Sequence, residues 1–134
     1  MITVFVGEDD PTQALYIKRV VTKVTGKEPR IFRDGLSLYR AIQNERPDVI
    51  ISDNVLPKMD GVDIARLVKY HEKTSTIPFI LVSVIQSEQL EGYDECGVDG
   101  FLSKPVKAAE LAEVLETFFG SLALNDETTS ETPD

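Results

Sequence analysis

One cysteine and one histidine, Cys96 and His71, are the only thiol and imidazole that this sequence offers. A single cysteine excludes an internal disulfide and any cysteine metal cluster, and it suits a reducing cytosol. With one histidine beside it, no histidine–cysteine metal site can be assembled. Basic residues are also scarce: 14 Lys and Arg stand against 23 Asp and Glu, a net charge of −9. A surface of that sign argues against direct contact with nucleic acid. No apolar run approaches the roughly 20 residues of a membrane span. Met1-Ile2 leads directly into a strand-like run, without the charged, apolar and small-residue pattern of a signal peptide. These absences give the expectation of a soluble, cytoplasmic chain with no membrane partner.

What is present is ordinary globular composition, 42% hydrophobic and 28% charged over 134 residues, enough for one domain with its own core. Apolar runs of strand length, at about 2–7, 29–33, 48–53, 77–83 and 99–103, alternate with helix-period segments at about 11–24, 35–46, 60–72, 87–95 and 106–119. Five β-α units in sequence predict a mostly parallel sheet with helices on both faces. Asp10 can cap the first helix, with Pro11 in its first turn. Ala14, Ile17, Val21 and Val24 then recur on one face, and Leu111, Val114, Leu115, Phe118 and Phe119 form a second apolar stripe. Gly26, Gly35, Gly97 and Gly120 punctuate element ends. Residues 1–120 are read as the folded domain. Residues 121–134 turn polar and acidic and are read as a flexible tail or the start of a linker.

Four chemical elements fall at the carboxyl ends of predicted strands: Glu8-Asp9, Asp53, Ser83 and Lys104-Pro105. A parallel sheet places all four on one edge, where open α/β sheets bind ligands. Clustered carboxylates repel one another unless a hard cation neutralises them, and oxygen-only ligands favour Mg²⁺. The chemistry available to such a set is phosphoryl transfer onto a carboxylate, with Asp53 as the nucleophile. Mg²⁺ would be held by Asp9, Asp53 and the backbone carbonyl near Val55, with Glu8 acting through water. Lys104 would supply a second positive charge, and the Ser83 hydroxyl a hydrogen bond to a phosphoryl oxygen.

At this point the chain resembles a family. Val6-Gly7-Glu8-Asp9-Asp10-Pro11, Ile51-Ser52-Asp53-Asn54-Val55-Leu56-Pro57-Lys58-Met59-Asp60-Gly61, Val82-Ser83 and Gly100-Phe101-Leu102-Ser103-Lys104-Pro105 resemble the four motifs of response-regulator receiver domains of two-component systems, the chemotaxis receivers among them. The resemblance covers about residues 1–119. It implies a flavodoxin-like, doubly wound sheet of five parallel strands in the order 2-1-3-4-5 with five helices. It also implies Mg²⁺-dependent transfer from a sensor histidine kinase or histidine phosphotransfer protein to Asp53. Ser83 and Phe101 would act as switch residues, communicating with an output domain or target protein; a phosphorylation-dependent homodimer belongs to the same expectation. The residue after the hydroxyl is usually alanine or glycine in this family. Here it is Val84, whose β-branched side chain is expected to narrow access to the phosphoryl group.

Plainer roles are assigned elsewhere. Asp10 is read as a helix cap only, Pro57 and Gly61 as turn residues, Cys96 as a small buried side chain, and His71 as a half-buried group at a helix C-terminus. Two rival functions remain beside the phosphorylation switch. A receiver-like docking domain that is never phosphorylated would tolerate Val84. An aspartyl-phosphate hydrolase would use the same nucleophile and metal, but Asp53-Asn54-Val55 lacks the second acid of its usual Asp-x-Asp.

Overall fold

The alternation read from the sequence folds as β1 (Val4–Gly7), α1 (Pro11–Thr25), β2 (Arg30–Phe32), α2 (Gly35–Glu45), β3 (Val49–Asp53), α3 (Gly61–Tyr70), β4 (Phe79–Ser83), α4 (Tyr93–Cys96), β5 (Gly100–Ser103) and α5 (Ala108–Ser130). This computed structural model describes residues 2–130, with side-chain surroundings through Gly120. The strands form one sheet in the order β2-β1-β3-β4-β5, and every pairing is parallel. This is the flavodoxin-like order that the resemblance implied.

The three central strands, β1, β3 and β4, are buried along their whole length. A parallel strand covered on both faces must be apolar at successive positions rather than alternate ones, which is how Val49-Ile50-Ile51 and Phe79-Ile80-Leu81-Val82 read. Side chains alternate between two cores. One lies under α2, α3 and α4 and includes Phe5, Leu38, Ile50, Ile64, Phe79 and Leu81. The other lies under α1 and α5 and includes Val6, Ile17, Val21, Ile51, Ile80 and Leu111. The register sets Gly7 level with Ser52, Asp53 with Val82, and Ser83 with Ser103. The polar residues that end these strands therefore emerge together at one edge.

Local signals explain the helix starts. The Asp10 side chain accepts from Thr12 N at 3.3 Å ahead of Pro11, and α1 ends on Gly26 with φ 78°. Asp34 caps α2 more tightly: it accepts from Ser37 N and from the Ser37 hydroxyl, both at 2.8 Å. Those bonds favour the ionised carboxylate and hold Asp34 below the usual aspartate range.

The structure departs from the sequence reading at three places. The segment predicted as one helix over 87–95 is a single 3₁₀ turn at Ser87–Gln89, followed by the four-residue α4. Gly92 separates them in the left-handed region, φ 83°, and Leu90 is the only apolar residue in Ser87–Gly92, too little to seat a longer helix. Gly120, read as a boundary, lies inside α5, which continues to Ser130; one interior glycine costs only about 1 kcal/mol against alanine. Of the tail expected from 121 onward, residues 131–134 lie outside the described residues. His71, read as half-buried, is exposed at the C-cap of α3, where its Nδ1 accepts from Lys73 N at 3.1 Å. Cys96 is fully buried, as expected. Among the described residues, no helix is long and apolar enough to cross a membrane.

Removing the α2 cap by Asp34→Ala should destabilise the domain by about 1 kcal/mol at neutral pH, a typical value for losing an aspartate cap. A carboxylate held below its unfolded pKa contributes stability above that value and loses it as the pH falls through the folded one. The difference between wild type and Asp34→Ala in urea denaturation should therefore shrink on acidification; a constant difference would contradict the capping account.

Candidate functional site

Each polar residue at the carboxyl edge is held by the strand that ends there. Glu8 follows β1 directly, and its backbone N–H donates to Phe32 O of β2 at 3.0 Å. Asp53 is the last residue of β3, and Asn54 N continues the ladder by donating to Val82 O at 2.8 Å. Ser83 ends β4, and its carbonyl accepts from Lys104 N at 2.9 Å. That bond carries β-type pairing one residue beyond β5 and fixes where the lysine side chain begins.

The result is a small cluster of unlike charges. Lys104 Nζ donates to Asp53 Oδ2 at 2.8 Å and lies 3.4 Å from Glu8 Oε1. Carboxylate oxygens of Glu8, Asp9 and Asp53 all lie within 4.8 Å of one another. Glu8 is 1% exposed and Asp53 8%, whereas Asp9 is exposed. Burial is the main force pushing the Glu8 carboxyl above the usual glutamate range, and the charge of Asp53 adds to it. For Lys104, burial works against the ammonium, but the bond to Asp53 and the charges of Asp53 and Glu8 outweigh it, so its pKa is raised. One ammonium thus contacts two of the three clustered carboxylates, Glu8 and Asp53. The Glu8 Oε1 atom is buried and makes no hydrogen bond, the lysine contact being too poorly aimed. An orphaned carboxylate oxygen among two further carboxylates suits a hard divalent cation.

Ser83 is 2% exposed. Its Oγ accepts from Ile85 N at 2.9 Å, which turns the chain sharply at the end of β4 and leaves the hydroxyl hydrogen without a protein acceptor among the described residues. Val84 is 69% exposed and Val55 62%. Both side chains lie in loops that follow the strands ending in Ser83 and Asp53. Phe101 is partly buried against the core under α2, α3 and α4, and meets the ring of Tyr93 edge-on at a centroid separation of 5.6 Å.

The structure also brings in residues that the sequence reading passed over. Asn54 is 8% exposed and staples the loop after Asp53 to α3: its Oδ1 accepts from Val62 N at 3.0 Å and its carbonyl accepts from Gly61 N at 2.7 Å. An amide-bearing residue shortly before a helix start was the available signal. Gly61 is more than a turn residue, because a Cβ there would lie 2.6 Å from Asp53 O. Gly35 does the same from the other side: its N–H donates to Pro57 O at 2.9 Å, and a Cβ would collide with the Met59 carbonyl. The loop that leaves Asp53 is clamped at both ends by backbone contacts that only glycine permits.

This geometry has close counterparts. Residues 4–116 match the model of the response regulator receiver domain. The transcriptional regulatory protein YclJ of Bacillus subtilis is 39% identical over 82 residues, 60% of this chain; the match covers 34% of that curated relative's length. Among solved structures, the signal receiver domain of a signal transduction histidine kinase from Syntrophus aciditrophicus is 33% identical with a TM-score of 0.82, covering 90% of this chain and 92% of that one. The receiver domain of a sensor histidine kinase from Pseudomonas aeruginosa, solved with a magnesium ion coordinated in its active site cleft, is 27% identical with a TM-score of 0.75, covering 89% and 98%. The strand order, the edge at which the acids, hydroxyl and lysine meet, and the match over 4–116 agree: this chain belongs to the response regulator receiver domain family.

Proposed function

We propose that this domain is a phosphoacceptor switch, in which Asp53 receives a phosphoryl group from a phosphohistidine on a sensor kinase or phosphotransfer protein. The observation that carries this reading is Lys104 Nζ, 2.8 Å from Asp53 Oδ2 inside an otherwise acidic pocket. Asp53 attacks phosphorus with a carboxylate oxygen; the bond from phosphorus to the donor imidazole nitrogen breaks, and the imidazole leaves with the bonding pair. An acyl phosphate remains on Asp53.

The chain's own residues prepare this step. Lys104 keeps one Asp53 oxygen in a fixed direction, and its ammonium is placed to meet negative charge on the phosphoryl oxygens. The uncommitted Ser83 hydroxyl can donate to one of those oxygens, which draws Ser83 and the turn at Val84-Ile85 toward Asp53. Phe101, on the strand beside β4, is the side chain through which that movement would reach the outer face of β5. Glu8, Asp9 and Asp53, with the Val55 carbonyl, would hold Mg²⁺. When bound, the ion supplies the positive charge that lets phosphoryl oxygens approach three carboxylates. Output domain, cognate kinase and any homodimer belong to the same proposal, because the match to YclJ covers only part of that longer protein.

Incubation with acetyl phosphate and Mg²⁺ should raise the intact mass by one phosphate, and Asp53→Asn should lose that label. Labelling of the variant at the same level, mapped to another residue, would remove Asp53 from its assigned role. No labelling of the wild type by small donors or by kinase would leave the docking-domain reading in its place.

Val84 is proposed as a gate. Both phosphorylation and hydrolysis need an in-line path to phosphorus, and a stiff β-branched side chain beside Ser83 would narrow that approach. Val84→Ala should quicken labelling and shorten the acyl-phosphate lifetime, each by about tenfold, equivalent to about 1.4 kcal/mol of barrier. Unchanged rates in both directions would show that Val84 turns away from phosphorus.

A further inference from the structure

At the opposite edge of the sheet, where α2 and α3 end, the two helices part around a cavity of about 220 Å³. We propose that it binds a small organic anion, a carboxylate with an apolar or aromatic body. The floor is apolar: Ile42 and Val68 are buried, and Leu67 is 43% exposed and lies against the opening. The rim carries an excess of donors. Arg46 and Lys73 line it, and among the described residues neither side chain has a hydrogen-bond or ion-pair partner. His71 receives Lys73 N at Nδ1, so the neutral ring carries its proton on Nε2 and offers a donor. Gln43 Nε2 donates to the Tyr39 hydroxyl at 3.0 Å, which leaves the Tyr39 O–H free to donate in turn. Among the described residues no carboxylate lines the cavity; its side-chain acceptors are the neutral oxygens of Gln43, Tyr39 and Thr74.

Two helix C-termini meet here, and their exposed carbonyls would ordinarily attract such cations. Several are already occupied: Ile42 O accepts from Arg46 N at 3.0 Å, Val68 O from Thr74 Oγ1 at 2.7 Å, and His71 O from Thr74 N at 3.0 Å. The nearby acids are committed or turned aside. Glu45 pairs with Arg30, and Glu72, exposed between His71 and Lys73, does not line the cavity. Arg46 is moreover held in the left-handed region, φ 53°, an unfavourable backbone for a residue with a Cβ. That backbone places its guanidinium-bearing side chain at the mouth instead of continuing α2. Unpaired cations and donors above an apolar floor, in a chain of net charge −9, offer charge and hydrogen bonds to an anion and apolar contact to its body.

The test uses the uniformly ¹⁵N-labelled full chain, titrated to about 1 mM and beyond with benzoate, neutral benzamide, benzylammonium and inorganic phosphate. Benzoate should shift the amides of Ile42, Gln43, Arg46, His71 and Thr74 with saturation, while benzamide and phosphate alone should bind at least about tenfold more weakly, a difference of about 1.4 kcal/mol. Arg46→Asn should weaken benzoate about tenfold, since asparagine tolerates the left-handed backbone while removing the charge; Lys73→Gln should act in the same direction. Equal binding of benzoate and benzamide, preference for benzylammonium, shifts that map elsewhere, or benzoate affinity unchanged in both variants would each overturn the proposal. An absence of shifts with any anion would do so as well. A matching amide spectrum for Arg46→Asn shows that it folds; if it does not fold, Lys73→Gln carries the same test.

Discussion

Three carboxylates gathered beside a single ammonium that touches only two of them, Glu8 and Asp53, are the constraint on which the rest of this structure turns. Glu8, Asp9 and Asp53 approach within 4.8 Å, and Lys104 can compensate only part of their repulsion. A flexible scaffold would relieve the strain by letting the acids drift into solvent. This one does not, because Glu8 and Asp53 leave from the ends of two adjacent, fully buried strands whose register is fixed by side chains on both faces. Slipping either strand by one residue would exchange the two cores. The packing energy of the sheet is therefore what holds the charges together.

The other pieces of the edge follow from that rigidity. Lys104 begins where the Ser83 carbonyl places it. The loop beyond Asp53 is pinned by Asn54, Gly61 and Gly35, so Asp53 cannot retreat along its own backbone. By contrast, the segment after Ser83 is lightly built: a 3₁₀ turn, a left-handed glycine and a single helical turn. Rigid acids beside a lightly held hydroxyl loop are the distribution expected of a switch, since elements that move have few competing contacts to break.

Much of this was legible in the sequence because it depends on local rules. The apolar runs that end in acid, Val49 to Asp53 above all, can only be central parallel strands, and their order puts Glu8, Asp53, Ser83 and Lys104 on one edge. Asp10 and Gly26 announce the ends of α1 by their chemistry. What the sequence hid depends on the third dimension. Nothing local distinguishes Gly61 as a close-approach glycine from Gly61 as a turn glycine; the difference lies in Asp53 O, eight residues earlier in the chain. Asn54 looked like loop until its amide was seen to receive Val62 N. Helix period alone suggested one continuous helix over 87–95, but Gly92 takes a left-handed backbone and only Leu90 is apolar in the stretch before it. The exposure of His71 was equally invisible, because it depends on how far α2 and α3 part beyond Tyr39 and Leu67.

The most direct test of this account is thermal unfolding with and without Mg²⁺ at fixed pH and ionic strength. If the carboxylate cluster is a cation site, Mg²⁺ binds the folded state alone and stabilises it by linkage, about 2.7 kcal/mol at one hundred times its dissociation constant. The melting temperature of the wild type should rise with Mg²⁺, and that of Asp9→Asn combined with Asp53→Asn should start higher without metal and not respond. An equal rise in both proteins, or none in either, would contradict the central claim that these acids are held together for a cation to join them.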